Sequence, residues 1–151
     1  MEPNEIVGNI WKIHMEDRTC DIVVPTNNTV KKNGLAVMGA GLAADAVRKY
    51  PSIEYLLGKK LKADGNCVHY FGGYRIITFP VKYEWFQMAD CSLIRQSARE
   101  LKQLMDDEEL SRVLVPRVGC GNGGLQWHDV KPILERELDS RCEFIRYNKE
   151  V

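Results

Sequence analysis

Three stretches of the 151-residue chain hold residue types whose spacing suits chemistry on an anionic substrate. In Phe79-Pro80-Val81-Lys82, a lysine follows a strand-like run, and Tyr83, Trp85 and Phe86 come just after it. Aromatic surroundings desolvate an amine and favour its uncharged, nucleophilic form, so Lys82 is a candidate nucleophile. Most lone lysines are solvated surface charges, and the spacing alone leaves both readings open. In Pro116-Arg117-Val118-Gly119-Cys120-Gly121-Asn122-Gly123-Gly124-Leu125, glycine fills four of the six positions from 119 to 124. That density is entropically costly unless the backbone itself has a task. Consecutive N–H groups in such a turn form an anion nest suited to a diphosphate, with a plain structural turn as the alternative. No Gly-Lys-Ser/Thr follows, which excludes a Walker-type loop and its metal-binding hydroxyl. The third stretch, Gly39-Ala40-Gly41-Leu42-Ala43-Ala44, sits at a helix start, where glycine admits a phosphate and the amino end favours negative charge. As a dinucleotide fingerprint it is misplaced, because a long polar loop precedes it and helical residues follow. Close helix packing is the competing use of these glycines.

The elements that must position these stretches can be read from periodicity. Ile6–Ile13 and Cys20–Pro25 read as strands joined by the polar turn Met15–Arg18. A polar loop runs from Thr26 to Gly34, and Val37–Gly41 opens a helix that Pro51 stops after Tyr50. Ser52 is placed to cap a second helix carrying Ile53, Leu56, Leu57 and Leu61. Cys67–Phe71 and Tyr74–Phe79 read as a hairpin joined by Gly72-Gly73, a turn that tolerates positive φ. Leu93, Ile94, Ser97, Ala98, Leu101, Leu104 and Met105 mark one face of a long helix. Val113-Leu114-Val115 is wholly apolar, as in a strand buried on both faces. A helix with Val130, Ile133, Leu134 and Leu138 and a strand over Cys142–Tyr147 complete the chain. This alternation predicts an α/β fold, a three-layer α/β/α sandwich around a mixed sheet. Ligands in such sheets bind beyond the carboxyl ends of the strands, where the loops 26–41, 80–86 and 117–127 fall.

Composition bounds the function. The chain has 21 Lys+Arg and 21 Asp+Glu, a formal net charge of zero, and is 44% hydrophobic. One domain over residues 1–151 is expected, since about 100–200 residues is the usual size. Zero net charge argues against extended, non-specific wrapping of duplex DNA, which needs clustered Lys/Arg. Cys20, Cys67, Cys91, Cys120 and Cys142 are odd in number, widely spaced and contain no CxxC pair. They read as reduced thiols in a cytoplasmic protein, with no disulfide framework and no zinc or other metal site. No apolar run approaches the ~18 residues of a membrane span, so no membrane partner is expected.

Taken together, the motifs Val-Pro-Thr-Asn, Lys-Lys-Asn-Gly-Leu-Ala-Val-Met-Gly-Ala-Gly-Leu-Ala, Phe-Pro-Val-Lys and Pro-Arg-Val-Gly-Cys-Gly-Asn-Gly-Gly-Leu-Gln-Trp resemble the macrodomain family. The resemblance runs from about residue 5 to 148 and implies an ADP-ribose-binding module with a mixed sheet in an α/β/α sandwich. Within the family it looks most like the terminal ADP-ribose protein hydrolases and the antitoxin macrodomains that remove ADP-ribose from DNA. In those relatives a lysine takes part in breaking the glycosidic bond of the distal ribose, and the matching residue is Lys82.

The resemblance implies further roles. Asn9, before Ile10, stands where the family has an acid facing the adenine amino group; its carboxamide oxygen still accepts, without charge assistance. Asn27 matches the asparagine facing the distal ribose, with Asn28 adjacent and the alignment open to a slip of one. Asn33 and Gly34 begin the segment over that ribose. Val37, Met38, Gly39, Ala40, Gly41 and Leu42 run beneath the diphosphate. Gly119, Cys120, Gly121, Asn122, Gly123, Gly124 and Leu125 cover its other side, with backbone donors from Gly121 to Gly124. Pro80 leads into the lysine loop, and Tyr147 or Asn148 borders the adenine. The catalytic aspartate of the human-type enzymes aligns with Gly123, so the second group of a lysine–aspartate mechanism is missing here. His128 and Asp129 are candidate substitutes, although Asp129 also suits the first turn of a helix. Cys120 has no histidine partner at sensible spacing and reads as a small loop residue.

The implied function is an ADP-ribosyl hydrolase that frees ADP-ribose from a nucleobase or a protein carboxylate. The alternatives are a non-catalytic ADP-ribose reader and an ADP-ribose 1″-phosphate phosphatase. No cofactor is implied. The expected partner is ADP-ribose or an ADP-ribosylated target, DNA or protein, and a monomer is expected. A nucleic-acid target would need a basic and aromatic rim, for which Lys31, Lys32, Lys82, Arg117, Tyr83, Trp85 and Phe86 are candidates.

Overall fold

The strand β2 (Asp21–Thr26) lies in the middle of the sheet, and its alternate side chains enter two different cores. Val23 packs with Ile77, Phe79, Val113, Val115 and Phe144, whereas Ile22 and Val24 pack with Ile76, Leu114 and Ile145. That division is the period-two geometry of a strand buried on both faces. In the computed structural model, residues 1–148 and 150 are described, so Lys149 and Val151 of the expected 1–151 domain lie outside the described residues.

The order of elements is β1 (Asn4–Gly8), α1 (Ile10–Glu16), β2, α2 (Gly41–Lys49), α3 (Ile53–Asp64), β3 (His69–Phe71), β4 (Ile76–Pro80), α4 (Cys91–Asp107), β5 (Val113–Pro116), α5 (Trp127–Glu137) and β6 (Cys142–Tyr147). The six strands lie in the order β1-β6-β5-β2-β4-β3. All pairings are parallel except the edge pair β3–β4. The first core takes Ile94, Ala98, Leu101 and Met105 from α4 with Val130 and Leu134 from α5. The second takes Ile10 and Trp11 from α1, Ala43 and Ala46 from α2, and Ile53, Leu57 and Leu61 from α3. The expected α/β/α sandwich around a mixed sheet is therefore present.

Four local expectations need correction. Ile6–Ile13 is not one strand: the strand ends at Gly8, and α1 begins at Ile10, capped by Asn9, whose Oδ1 accepts from Lys12 N at 3.2 Å. Ile10, Trp11 and His14 form a buried face at helical spacing, and a short apolar run carries both periods at once. The β3–β4 connection does not turn on two glycines of positive φ. It spans Gly72–Arg75, and Arg75 takes the positive φ, 54°. The strand before it begins at His69 rather than Cys67, because Val68 N is drawn off to Glu100 Oε1 at 2.9 Å. Ser52 occupies the N-cap position of α3 with φ −63° and ψ −19°, already helical, and its side chain makes no cap bond.

The strands that matter for the site end in similar ways. Pro25, Pro80 and Pro116 stand at or next to the carboxyl ends of β2, β4 and β5. Proline lacks an N–H and stops the ladder, which releases three loops on one edge of the sheet.

Candidate functional site

The three released loops enclose a cleft of about 690 Å³, within the range of roughly 300–1,000 Å³ usual for small-molecule sites. Its floor is the end of β2, Pro25 and Thr26, together with Val81 and Pro116. One wall is Val37, Met38, Gly39, Ala40, Gly41, Leu42 and Ala43, and the opposite wall is Gly119, Gly121, Asn122 and Gly123. Lys31, Asn27, Lys82, Trp85 and Arg117 complete the lining. The walls approach closely: Asn122 Nδ2 lies 3.7 Å from where a Cβ on Gly41 would stand.

Both walls present backbone donors. Gly41 opens α2 without a side-chain cap on Ala40, so the first-turn N–H groups are left for a ligand. In the glycine-rich loop, Cys120 N donates to Arg117 O, Gly124 N to Gly121 O and Leu125 N to Gly119 O. Among the described residues, the N–H groups of Gly121, Asn122 and Gly123 are not consumed by that loop. Gly119 takes φ 75°, which turns the chain back over the cleft. Unpaired backbone N–H groups on both walls are donors of the kind that bind anions.

Lys82 is carried on a loop pinned to the loop after β2. Val81 N donates to Thr26 O at 2.9 Å, Asn28 N to Tyr83 O at 3.0 Å, and Trp85 N to Thr29 Oγ1 at 3.0 Å. Thr29 Oγ1 in turn donates to Glu84 Oε2 at 2.7 Å. Lys82 is half-buried, and its Nζ donates to Trp85 O at 3.2 Å. That single neutral acceptor leaves two ammonium donors, or one lone pair of the free amine, for the cleft. Thr26 is 5% exposed, and its Oγ1 has no hydrogen-bond partner. A buried, unpaired hydroxyl on the floor of a cleft is a group held in reserve for a ligand.

The remaining residues singled out from the sequence fall outside the enclosed cleft or spend their polar groups on structure. Asn27 lines the cleft, but its Nδ2 donates to Val37 O and its Oδ1 accepts from Thr29 N, so the side chain braces the loop. Asn28 is exposed and joins the lysine loop through its N–H. Asn33 Oδ1 accepts from Leu35 N, and Gly34 packs its carbonyl on Gly58 of α3, away from the cleft. Pro80 is buried, and its carbonyl accepts from Ser97 Oγ at 2.7 Å. Leu125 packs on the first core. Gly124 lies beside Met88, outside the lining. Cys120 Sγ donates to Val118 O, and burial pushes its thiol pKa up, the reverse of what a nucleophile needs. Ile10 is wholly buried as a side chain, which leaves only its backbone N–H for a ligand. Asn9 and Tyr147 meet at the sheet edge, where Gly8 pairs with Tyr147 and Asn148 N donates to Gly8 O at 2.9 Å. His128 and Asp129 pair with each other at 3.2 Å, 79% and 61% exposed, and neither lines the cleft. Asp129 stands in the first turn of α5, as its helical reading expects.

Sequence reasoning missed Thr26, and it named Lys31, Trp85 and Arg117 only as a rim. The available signal for Thr26 was its place as the polar last residue of a strand buried on both faces.

A parallel sheet with one antiparallel edge, helices on both faces and a cleft at its carboxyl edge are the architecture of a macrodomain, and the chain is one. Its sequence is 32% identical over 115 residues to a DNA ADP-ribosyl glycohydrolase of Mycobacterium tuberculosis, covering 69% of this chain and 32% of that protein. The chain thus spans about a third of the length of that curated relative. The macrodomain of M. tuberculosis DarG superposes with a TM-score of 0.72 at 23% identity, covering 95% of this chain and 99% of that one. Thermosipho africanus DarTG, solved in complex with ADP-ribose, gives a TM-score of 0.73 at 21% identity, covering 100% of this chain and 44% of that one. No family model matches the chain.

Proposed function

We propose that this macrodomain removes ADP-ribose from modified DNA, with Lys82 acting at the anomeric carbon of the distal ribose. The observation that carries the reading is Lys82 at the floor end of a cleft whose two walls are rows of backbone N–H groups. The diphosphate lies between 39–43 and 121–123. The distal ribose then reaches Thr26 and Lys82, and the adenosine end runs toward the edge formed by Asn9 and Tyr147. The Lys82 amine attacks the anomeric carbon, the bond to the base breaks, and the base leaves with the proton that the attacking nitrogen gives up. Water then replaces the amine, releasing ADP-ribose and restoring the lysine. The relative named a DNA ADP-ribosyl glycohydrolase supports DNA as the acceptor. Five free thiols fit a cytoplasmic protein, and the reading takes it as a monomer. Among the described residues, no helix is long and apolar enough to cross a membrane.

A reader module without turnover is the second reading, favoured by Gly123 at the position of the family's acid. One experiment separates them: release of ADP-ribose from mono-ADP-ribosylated single-stranded DNA and from glutamate-modified protein, by wild type and Lys82→Ala. Release from DNA that is lost in Lys82→Ala, with ADP-ribose binding kept in calorimetry, supports the glycohydrolase. Binding without release from either substrate makes the protein a reader. Release that survives Lys82→Ala overturns the lysine mechanism.

A further inference from the structure

The segment after Lys82 exposes apolar surface, of which only Trp85 reaches the cleft lining. Tyr83 is 50%, Trp85 55%, Phe86 68% and Met88 65% exposed, four of six consecutive residues. Exposure of this kind commonly belongs to a loose loop, but this loop is fixed along its length. Its start is held by Asp90 N on Val81 O and Asn66 Nδ2 on Lys82 O, and its middle by the Thr29 hydroxyl between Glu84 and Trp85. Its end is held by Ala89 N on Gly123 O and by Asp90 capping α4 through Leu93 N. Trp85 and Phe86 also fix each other, edge to face, with ring centroids 5.8 Å apart. A contiguous apolar patch kept in the water by a pinned backbone marks an interaction surface rather than a packing defect.

The charges around the patch select its partner. Lys31, Lys82 and Arg117 line the adjoining cleft mouth, and Lys32 follows on the same loop. Among the described residues, Lys31, Lys32 and Lys82 stand in no ion pair. The one carboxylate within the segment, Glu84, accepts from Thr29. Flat aromatic faces beside uncompensated cations suit unstacked bases on a phosphate backbone. We propose that Tyr83, Trp85 and Phe86 form a stacking surface for single-stranded nucleic acid, which holds the nucleotides flanking the one whose ADP-ribose enters the cleft. This deepens the glycohydrolase reading and rests on it for the identity of the modified strand. Duplex DNA keeps its bases stacked and is refused. The zero net charge of the chain is consistent with a contact this local.

The surface is tested apart from catalysis, by fluorescence anisotropy of a labelled, unmodified single strand of about 8 nucleotides. Wild type binds, the matching duplex does not compete, and Phe86→Ala weakens binding about tenfold while Phe86→Trp restores it. Phe86 is chosen because it is exposed and lies outside the cleft lining, so the fold and the ADP-ribose cradle are untouched. With modified substrates, Phe86→Ala raises KM for the ADP-ribosylated strand about tenfold at unchanged kcat, and leaves cleavage of the isolated ADP-ribosyl nucleoside unchanged. Equal loss on strand and nucleoside, unaltered binding in Phe86→Ala, equal binding of duplex, or a defect confined to ADP-ribosylated protein each overturns the stacking surface. Absence of any cleavage by wild type fails the glycohydrolase reading alone, since the anisotropy result stands independently of it.

Discussion

Gly123 and Gly119 face each other so closely across the turn that a Cβ on Gly123 would lie 2.7 Å from the carbonyl carbon of Gly119 and 2.8 Å from Ala89 Cβ. The neighbours are a backbone group and a methyl that cannot swing aside, so the loop admits no side chain at this position. At the position that the resemblance aligns with the family's acid, the backbone has therefore closed over the place where a side chain would stand.

Restoring the acid should fail. Gly123→Ala should cost about 1–3 kcal/mol of stability through overpacking, read as a lower urea midpoint. Gly123→Asp should be at least as destabilised and should release ADP-ribose no faster than wild type. A stable, faster Gly123→Asp enzyme would show that the loop opens readily and that a lysine–aspartate pair is available.

The orphan hydroxyl of Thr26 makes the opposite kind of prediction. Thr26→Val keeps the shape of the side chain and removes a buried polar atom without a partner. Unfolding of the free protein should become harder by about 1 kcal/mol. ADP-ribose binding, measured by calorimetry, should weaken about tenfold, the worth of one hydrogen bond in a dry site. Unchanged affinity would remove Thr26 from the site.

Thr29 lies outside the cleft lining but ties the lysine loop to the loop after β2, receiving Trp85 N and donating to Glu84. In Thr29→Val both bonds are lost, at about 1 kcal/mol each or less in stability. Because a misplacement of about 1 Å can cost a hundredfold in rate, kcat should fall between about ten- and a hundredfold. The fall in kcat should come with a much smaller change in affinity for free ADP-ribose. Proportional losses in both would mean that the bonds hold the whole cradle rather than Lys82.

Acid should destabilise the fold through two aspartates outside the site. The hydroxyl and N–H of Thr19, then Arg112, hold the Asp17 carboxyl down to about 2. Arg141 holds Asp139 down to about 2 as well. A carboxyl depressed in the folded state contributes stability above its unfolded pKa of about 3.9, and that contribution is lost as pH falls through the folded value. Urea midpoints should therefore fall between about pH 4 and 2 through these two carboxyls, in addition to a loss that begins below about pH 6.5 from His14, whose burial holds its imidazole below the ordinary value. Asp17→Asn and Asp139→Asn should each start lower at pH 7 and show a shallower fall. A wild-type midpoint unchanged down to pH 2 would contradict these pairings.

Much of the architecture was legible along the chain because strands buried on both faces, such as Val113-Leu114-Val115, carry unbroken apolar runs that few other structures tolerate. The long face of α4 was legible from its period for the same reason. The helix α1 was not, since the apolar run Ile6–Ile13 is too short for its period to separate strand from helix, and only packing of Ile10 and Trp11 with Ile22 and Val24 of β2 decides between them. The β3–β4 turn was missed because glycine permits a positive φ without requiring one, and the pairing of His69 with Thr78 passed that role to Arg75.

Of the candidate site, the sequence by itself pointed to the loops that line the cleft: each follows a strand with proline at or next to its carboxyl end, and two of them are dense in glycine, so backbone donors are their natural product. It also marked Lys82 as the nucleophile to examine. Only the tertiary structure decided that Thr26 keeps an unpaired hydroxyl, that Asn27 is spent on Val37 and Thr29, and that Gly123 has no room for a side chain. The reason is physical. Local sequence sets what each residue can offer, whereas hydrogen-bond partners and free space depend on groups dozens of residues away, which meet only when the three loops close over the same edge of the sheet.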